Sequence, residues 1–158
     1  MTREKQVVEK YEVFIANDGT EFKDKEECKK YEESALGVLS AKYHPLVVGT
    51  TTEECIYNAG NGDNTIAIVK VSTDEDADLM LQMFFMFNEY YRNKFNKGDK
   101  GAVAKVEEVK RHINAAKESG EPLIVDRGYD EDDFWVFGTC STICEDIRNN
   151  IKKAMSAE

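Results

Sequence analysis

Residues 65–87 read TIAIVKVSTDEDADLMLQMFFMF. The opening TIAIVKV is apolar on both alternating faces, the pattern of an interior strand covered on two sides by its own chain, or on one side by a partner chain. Ser72 with Glu75, or Thr73 with Asp76, then has the spacing of a helix-capping pair. Asp74, Glu75, Asp76 and Asp78 crowd the first turns, where the helix dipole favours negative charge. The helix they begin is the longest in the chain and runs over about 74–96. It carries Leu79, Met80, Leu81, Met83, Phe84, Phe85, Met86 and Phe87, then Tyr90, Tyr91 and Phe95. A helix apolar nearly all round is the central core helix, or a core helix with one face in an oligomer interface. Its Met and Phe richness also suits an adaptable partner surface. Strand and helix together imply an α+β fold: a mixed or antiparallel sheet of about four or five strands, with helices packed against it and the 74–96 helix central.

Upstream, residues 7–16 are rich in β-branched and aromatic side chains, with Tyr11, Val13 and Ile15 alternating with Lys10 and Glu12. A strand is expected there. Asn17-Asp18-Gly19 supplies a tight turn, and Glu21-Phe22 begins a short return strand. Asp24 caps a helix with Glu27 three positions on, and Cys28, Tyr31, Ala35 and Val38 form its apolar stripe. Pro45 ends that helix at or before His44. Residues 45–64 read as irregular, with a short helix from Cys55 to Tyr57 after the Thr51–Glu54 capping pattern. The Gly/Asn loop AGNGDN follows; it lacks the phosphate-loop pattern and leads into a strand.

Downstream, NKGDKG is a loop. Val103, Val106, Val109, Ile113 and Ala116 mark an amphipathic helix that Gly120 terminates, with Glu107 and Arg111 placed to pair on its exposed side. PLIV and FWVFG are strands about the acidic turn DRGYDEDD. Thr142 and Glu145 begin a last helix with Ile143, Ile147, Ile151 and Met155 on one stripe and Lys152 and Lys153 near its negative end. No linker divides the chain, so a single domain over 1–158 is expected, with a hairpin–helix subunit at about 7–43.

The 158 residues are 41% hydrophobic and 33% charged, which fits a globular protein with a charged exterior. A net charge of −10 disfavours direct contact with nucleic acid or an anionic membrane. It suits a basic protein surface, and it also serves solubility alone. Cys28, Cys55, Cys140 and Cys144 form no C-x-x-C and no zinc pattern; they read as reduced thiols of a cytoplasmic protein. The first residues show no apolar leader segment, and LMLQMFFMF is too short to span a bilayer.

The densest candidate chemistry is DRGYDEDDFWVF. Asp126, Asp130, Glu131, Asp132 and Asp133 are hard-cation ligands by type, but they share one hairpin loop. Phe134 and Trp135 stand where an EF-hand needs a further ligand and a glycine. A solvated turn accounts for the acids without a metal. Tyr129 and Trp135 flank them, and aromatics beside acids recognise basic peptides; Trp135 is equally a strand residue of the core. His44 and His112 adjoin no recognised nucleophile motif. No catalytic residue, metal ligand or cofactor is assigned.

Residues 11–33, a strand followed by DGTEF and EECKKYE, resemble the N-terminal hairpin–helix of small uncharacterised bacteriophage and mobile-element proteins. The resemblance implies a phage or prophage accessory protein acting inside a bacterium, and brings no catalytic residues with it. Phe22, Cys28, Tyr31 and Ala35 also repeat the spacing of a ββα zinc finger, with apolar contact in place of the metal. The functional expectation is a non-enzymatic acidic binding protein, such as an inhibitor of a bacterial defence or nucleic-acid-handling protein. Asp74, Glu75, Asp76, Asp78, Tyr129, Asp130, Glu131, Asp132, Asp133 and Trp135 are its partner-binding residues. The alternatives are a small metal-dependent hydrolase or nuclease using clustered carboxylates, and a self-associating structural or small-ligand-binding domain that forms a homo-oligomer through the Met/Phe-rich helix.

Overall fold

The computed structural model describes residues 12–17, 20–52, 65–126 and 134–156. The fold is α+β, and the chain forms two compact units, Met1–Ala41 and Lys42–Glu158.

In the first unit, β1 (Phe14–Ile15) and β2 (Glu21–Phe22) make an antiparallel hairpin, with Phe14 opposite Phe22. Expected strand residues 7–11 and turn residues 18–19 lie outside the described residues. The hairpin's phase differs from the alternation of Val13 and Ile15. Ile15 is 64% exposed, and Ala16 is buried instead. In a strand a one-residue shift exchanges the two faces, and the Phe14–Phe22 pair sets this one. Helix α1 (Lys25–Glu33) starts as expected, with Asp24 accepting from the Glu26 and Glu27 amides at 2.8 and 2.9 Å. Cys28 is buried, and the Phe22 and Tyr31 rings lie 5.2 Å apart, the apolar contact expected where a finger would hold zinc. The helix does not continue to His44 unbroken. Ser34 takes an extended conformation, its hydroxyl donates to the Tyr31 carbonyl at 2.6 Å, and it accepts from the Gly37 amide at 3.0 Å. One serine thus ends α1 and caps α2 (Ala35–Tyr43). The break turns the following face away, so Ala35 and Val38 are exposed rather than part of the stripe.

In the second unit, Pro45 sits in a 3₁₀ turn, His44–Leu46, that closes α2. The next residues, read as irregular, form β3 (Val47–Thr52), an edge strand. The expected Cys55–Tyr57 helix lies outside the described residues. The antiparallel sheet has the order β3-β4-β5-β6, with β4 (Thr65–Val69), β5 (Leu123–Asp126) and β6 (Trp135–Gly138). As expected, β4 is interior, and Ile66, Ala67 and Val69 are buried. Ala67, Val69, Leu123, Val125 and Val136 share the fully buried face.

Helix α3 (Asp74–Phe87) opens with the Thr73–Asp76 capping box and buries Leu79, Met80, Met83 and Phe84. The apolar helix therefore serves the core. It breaks at Asn88, and α4 (Glu89–Asn96) follows. The Asn88 amide side chain donates to the carbonyls of Phe84 at 3.0 Å and Phe134 at 2.8 Å, fixing the break to the start of β6. Helix α5 (Lys100–Ser119) packs on α3, α4, β5 and β6. It ends at Gly120, whose φ of 74° supplies the left-handed cap. Helix α6 (Cys140–Met155) follows β6.

Candidate functional site

The acids at the start of α3 divide by role. Asp76 belongs to the cap, accepting from the Ser72 and Thr73 amides at 2.9 and 3.0 Å. Asp74 accepts a 2.6 Å hydrogen bond from Lys117 near the end of α5. That bond holds the Asp74 carboxyl below the ordinary carboxylate range and raises the Lys117 ammonium above its own. Glu75 and Asp78 are exposed and enter no ion pair among the described residues. Of the four acids, these two have charge to offer a partner.

Trp135 is half-buried, edge-on to Phe84 at 6.2 Å and Tyr91 at 6.0 Å. It therefore belongs to the aromatic packing that joins α3, α4 and β6. Six to ten helical residues separate Phe84 from the acids Asp78 and Asp74, roughly 9–15 Å of rise, so Trp135 and the acidic turn are not one site. Tyr129, Asp130, Glu131, Asp132 and Asp133 lie outside the described residues. Asp126 ends β5 and is buried, opposite Trp135 across the ladder.

The most connected polar group lies where α5, β6 and α6 meet, around His112. This histidine is 2% exposed. Its Nε2 is 3.2 Å from Arg111 Nη2 and its Nδ1 is 3.0 Å from Thr142 Oγ1. With Nε2 accepting from Arg111, the proton is on Nδ1 and is donated to Thr142; Asp146 Oδ2 also lies 3.5 Å from Nε2. Thr142 Oγ1 also accepts from the Thr139 amide at 2.9 Å and can donate to the Thr139 carbonyl at 3.2 Å. Arg111 Nη2 donates to both oxygens of Asp146, at 3.0 and 2.8 Å. Arg111 is thus held by α6, while Glu107 pairs with Lys110 at 2.9 Å instead. Desolvation, reinforced by Arg111, pulls the His112 pKa below its ordinary value, against the opposing pull of Asp146 and Glu108.

Gly138 makes the junction possible. Its φ is 122°, and a Cβ there would lie 2.5 Å from both His112 Nδ1 and Thr142 Oγ1.

Threonine, histidine and aspartate together suggest a nucleophile relay, but burial stands against it. An activated Thr142 would have to give its proton to the imidazole and reach a substrate. Here Thr142 Oγ1 is within reach of a backbone carbonyl and amide, and both Thr142 and His112 are buried. The arrangement is a fastening between helices. His112 adjoins no nucleophile motif in the sequence, yet its spacing from Val109, Ile113 and Ala116 puts it on the buried arc of α5.

Cys140 and Cys144 are exposed on α6 and Cys28 is buried. Among the described residues no three His, Cys, Asp or Glu side chains converge as metal ligands, and no helix is long and apolar enough to cross a membrane. No protein-family model, curated protein or solved structure matches the chain.

Proposed function

We propose that the protein is a non-enzymatic binding protein of phage or mobile-element origin that occludes a basic surface on a host protein. The concrete form is an inhibitor of a bacterial defence or nucleic-acid-handling protein. One observation carries the reading: a chain of net charge −10 holds Glu75 and Asp78 in solvent on the first turns of a helix whose cap is closed and whose far side is core. Rigidly held acids of this kind steer a cationic partner and set its orientation. The hairpin–helix resemblance of residues 11–33 supports the provenance. Tyr129, Asp130–Asp133 and Trp135 stay in this reading on their sequence alone.

The test is capture from bacterial lysate by the immobilised full chain, eluted with a salt gradient. A partner released by moderate salt, and captured much less by a Glu75→Lys/Asp78→Lys variant, is expected. Capture indifferent to both salt and charge reversal would contradict the reading.

A further inference from the structure

Two thiols stand on the outer side of the most firmly bonded stretch of α6. Thr139 and Thr142 close the first turn, Thr142 meets His112, Asp146 takes the Arg111 guanidinium, and Ser141 donates to Glu121. Cys140 is the first residue of this helix and Cys144 the fifth. Both are free and exposed. At 3.6 residues per turn they stand about 40° apart around the axis, one turn above the other, and each lies about 160° from the buried Thr142. The bonds that hold the inner side of the helix therefore fix where its outer thiols stand.

Side chains four residues apart on a helix have Cβ atoms about 5–6 Å apart. A disulfide draws its two Cβ atoms to about 3.8 Å, so this pair does not close one while α6 stays helical. The same spacing suits a bridging ion. Two thiolates at about 2.3 Å on opposite sides of a metal lie roughly 4.6 Å apart, a separation that two cysteines one turn apart reach by choice of rotamer. Ligand number then selects the ion. Among the described residues no third His, Cys, Asp or Glu joins the pair. Structural zinc takes four ligands in a tetrahedron, and calcium and magnesium take oxygen. Soft thiolates select Cu(I), whose filled d shell accepts two ligands in line. We propose that Cys140 and Cys144 form a two-coordinate site for Cu(I), with the ion held between the two sulfurs on the exposed face of α6. Each thiol gives its proton to solvent as its S–Cu bond forms. One Cu(I) thus displaces two protons and leaves a complex of charge −1, with no electron transferred. That charge sits on the first turns of α6, the positive end of the helix dipole. Because the turn is fastened before the ion arrives, little ordering opposes binding.

The experiment titrates the reduced full chain, without oxygen or added thiol, into Cu(I) held by the coloured chelator bathocuproine disulfonate. The expected result is withdrawal of one equivalent per chain, with X-ray absorption showing two sulfur neighbours and no more. Cys140→Ser and Cys144→Ser should each weaken uptake by more than the roughly 10–100-fold that loss of an outer-shell partner costs. Both positions are exposed, so the melting curves of the two metal-free variants should match the wild type. Cys28→Ser/Cys55→Ser should still take up one equivalent. Affinity should rise with pH, since protons leave as the ion binds. Failure to withdraw copper, or uptake indifferent to either α6 cysteine, overturns the proposal. So does a third sulfur neighbour, tighter retention of Zn²⁺ than of Cu(I), or a doubling of the mass from 18.0 kDa on loading, which would mean an ion shared between two copies.

Discussion

At its root α6 is fastened on three sides. Thr142 accepts from His112 on α5, Asp146 holds Arg111, and Ser141 donates to Glu121 at 2.5 Å. The Thr139–Thr142 capping box closes the first turn. From Ile147 onward every residue of the same helix to Ser156 is exposed, and the segment carries Arg148, Lys152 and Lys153 beside its apolar residues. Both halves are helical, but different forces keep them so. The root is held by directional hydrogen bonds, of which the one between His112 and Thr142 is buried and intolerant of a missing partner. The tip is held by backbone hydrogen bonds, local propensity and the dipole complement of Lys152 and Lys153. Substitutions at the root should therefore change stability, and substitutions at the tip should change it little.

The sharpest way to break the root is Gly138→Ala. The new Cβ would occupy space held by His112 and Thr142, at a φ that alanine resists. Backbone strain and overpacking together should cost about 2–5 kcal/mol. The denaturant midpoint should fall with little change in m-value. A loss below about 1 kcal/mol would show that the junction relaxes freely and is not the fastening described above.

A smaller effect should come from protonating His112. Burial and Arg111 hold its folded pKa below the value near 6.5 of the unfolded chain, so the unfolded state takes up the proton first as pH falls. The contribution is fully present above the unfolded value. It is lost as pH falls through that value toward the folded one, at about 1.4 kcal/mol for each unit separating the two. The groups that face the ring from α5 and α6, Arg111, Asp146, Glu108 and Lys105, are all counted in that net direction. Denaturation at pH 7.5 and 5.5 should show the wild type losing more stability than His112→Gln. Equal losses would mean that His112 titrates alike in both states.

Local chemistry was legible in the sequence, and long-range partnership was not. The Thr73–Asp76 cap, the Asp24 cap, the Gly120 terminator and the buried arc of α5 each depend on residues within four positions, and each stands where the pattern put it. β3 was missed because Gly49 and a run of threonines resemble a loop. Its β-branched content was the available signal, and pairing with β4 makes it a strand. Thr142 was read as the start of α6 because Glu145 completes a capping pattern. Thr139, three residues earlier, is the true cap, since Gly138 ends β6 there. The breaks at Ser34 and Asn88 come from single polar side chains that find carbonyls or amides, which helix periodicity does not register. At the acidic turn the dipole role was visible, whereas the Asp74 pair with Lys117 spans 43 positions and was not. The four-residue stripe on α6 was read correctly as a stripe. Periodicity gives the direction an apolar face takes along a helix, and says nothing of whether the chain has anything left to lay against it.

The smallest stability effect separates the two halves of α6 most cleanly. Ile147→Glu should move the unfolding free energy by no more than about 0.5 kcal/mol, because the residue is 53% exposed and lies beyond the bonded root. The same charge introduced at Ile143, half-buried four residues earlier, should cost about 1–3 kcal/mol, the price of desolvating a carboxylate against a packed junction. Thermal melts of the two variants at a few micromolar, beside the wild type, make the comparison. If Ile147→Glu proved as damaging as Ile143→Glu, the tip would have to be packed on the body, and the division of α6 into a fastened root and an exposed tip would fail. A near-silent Ile147→Glu beside a destabilised Ile143→Glu places the boundary within one helical turn, between the residue the fold holds and the residue it leaves in solvent.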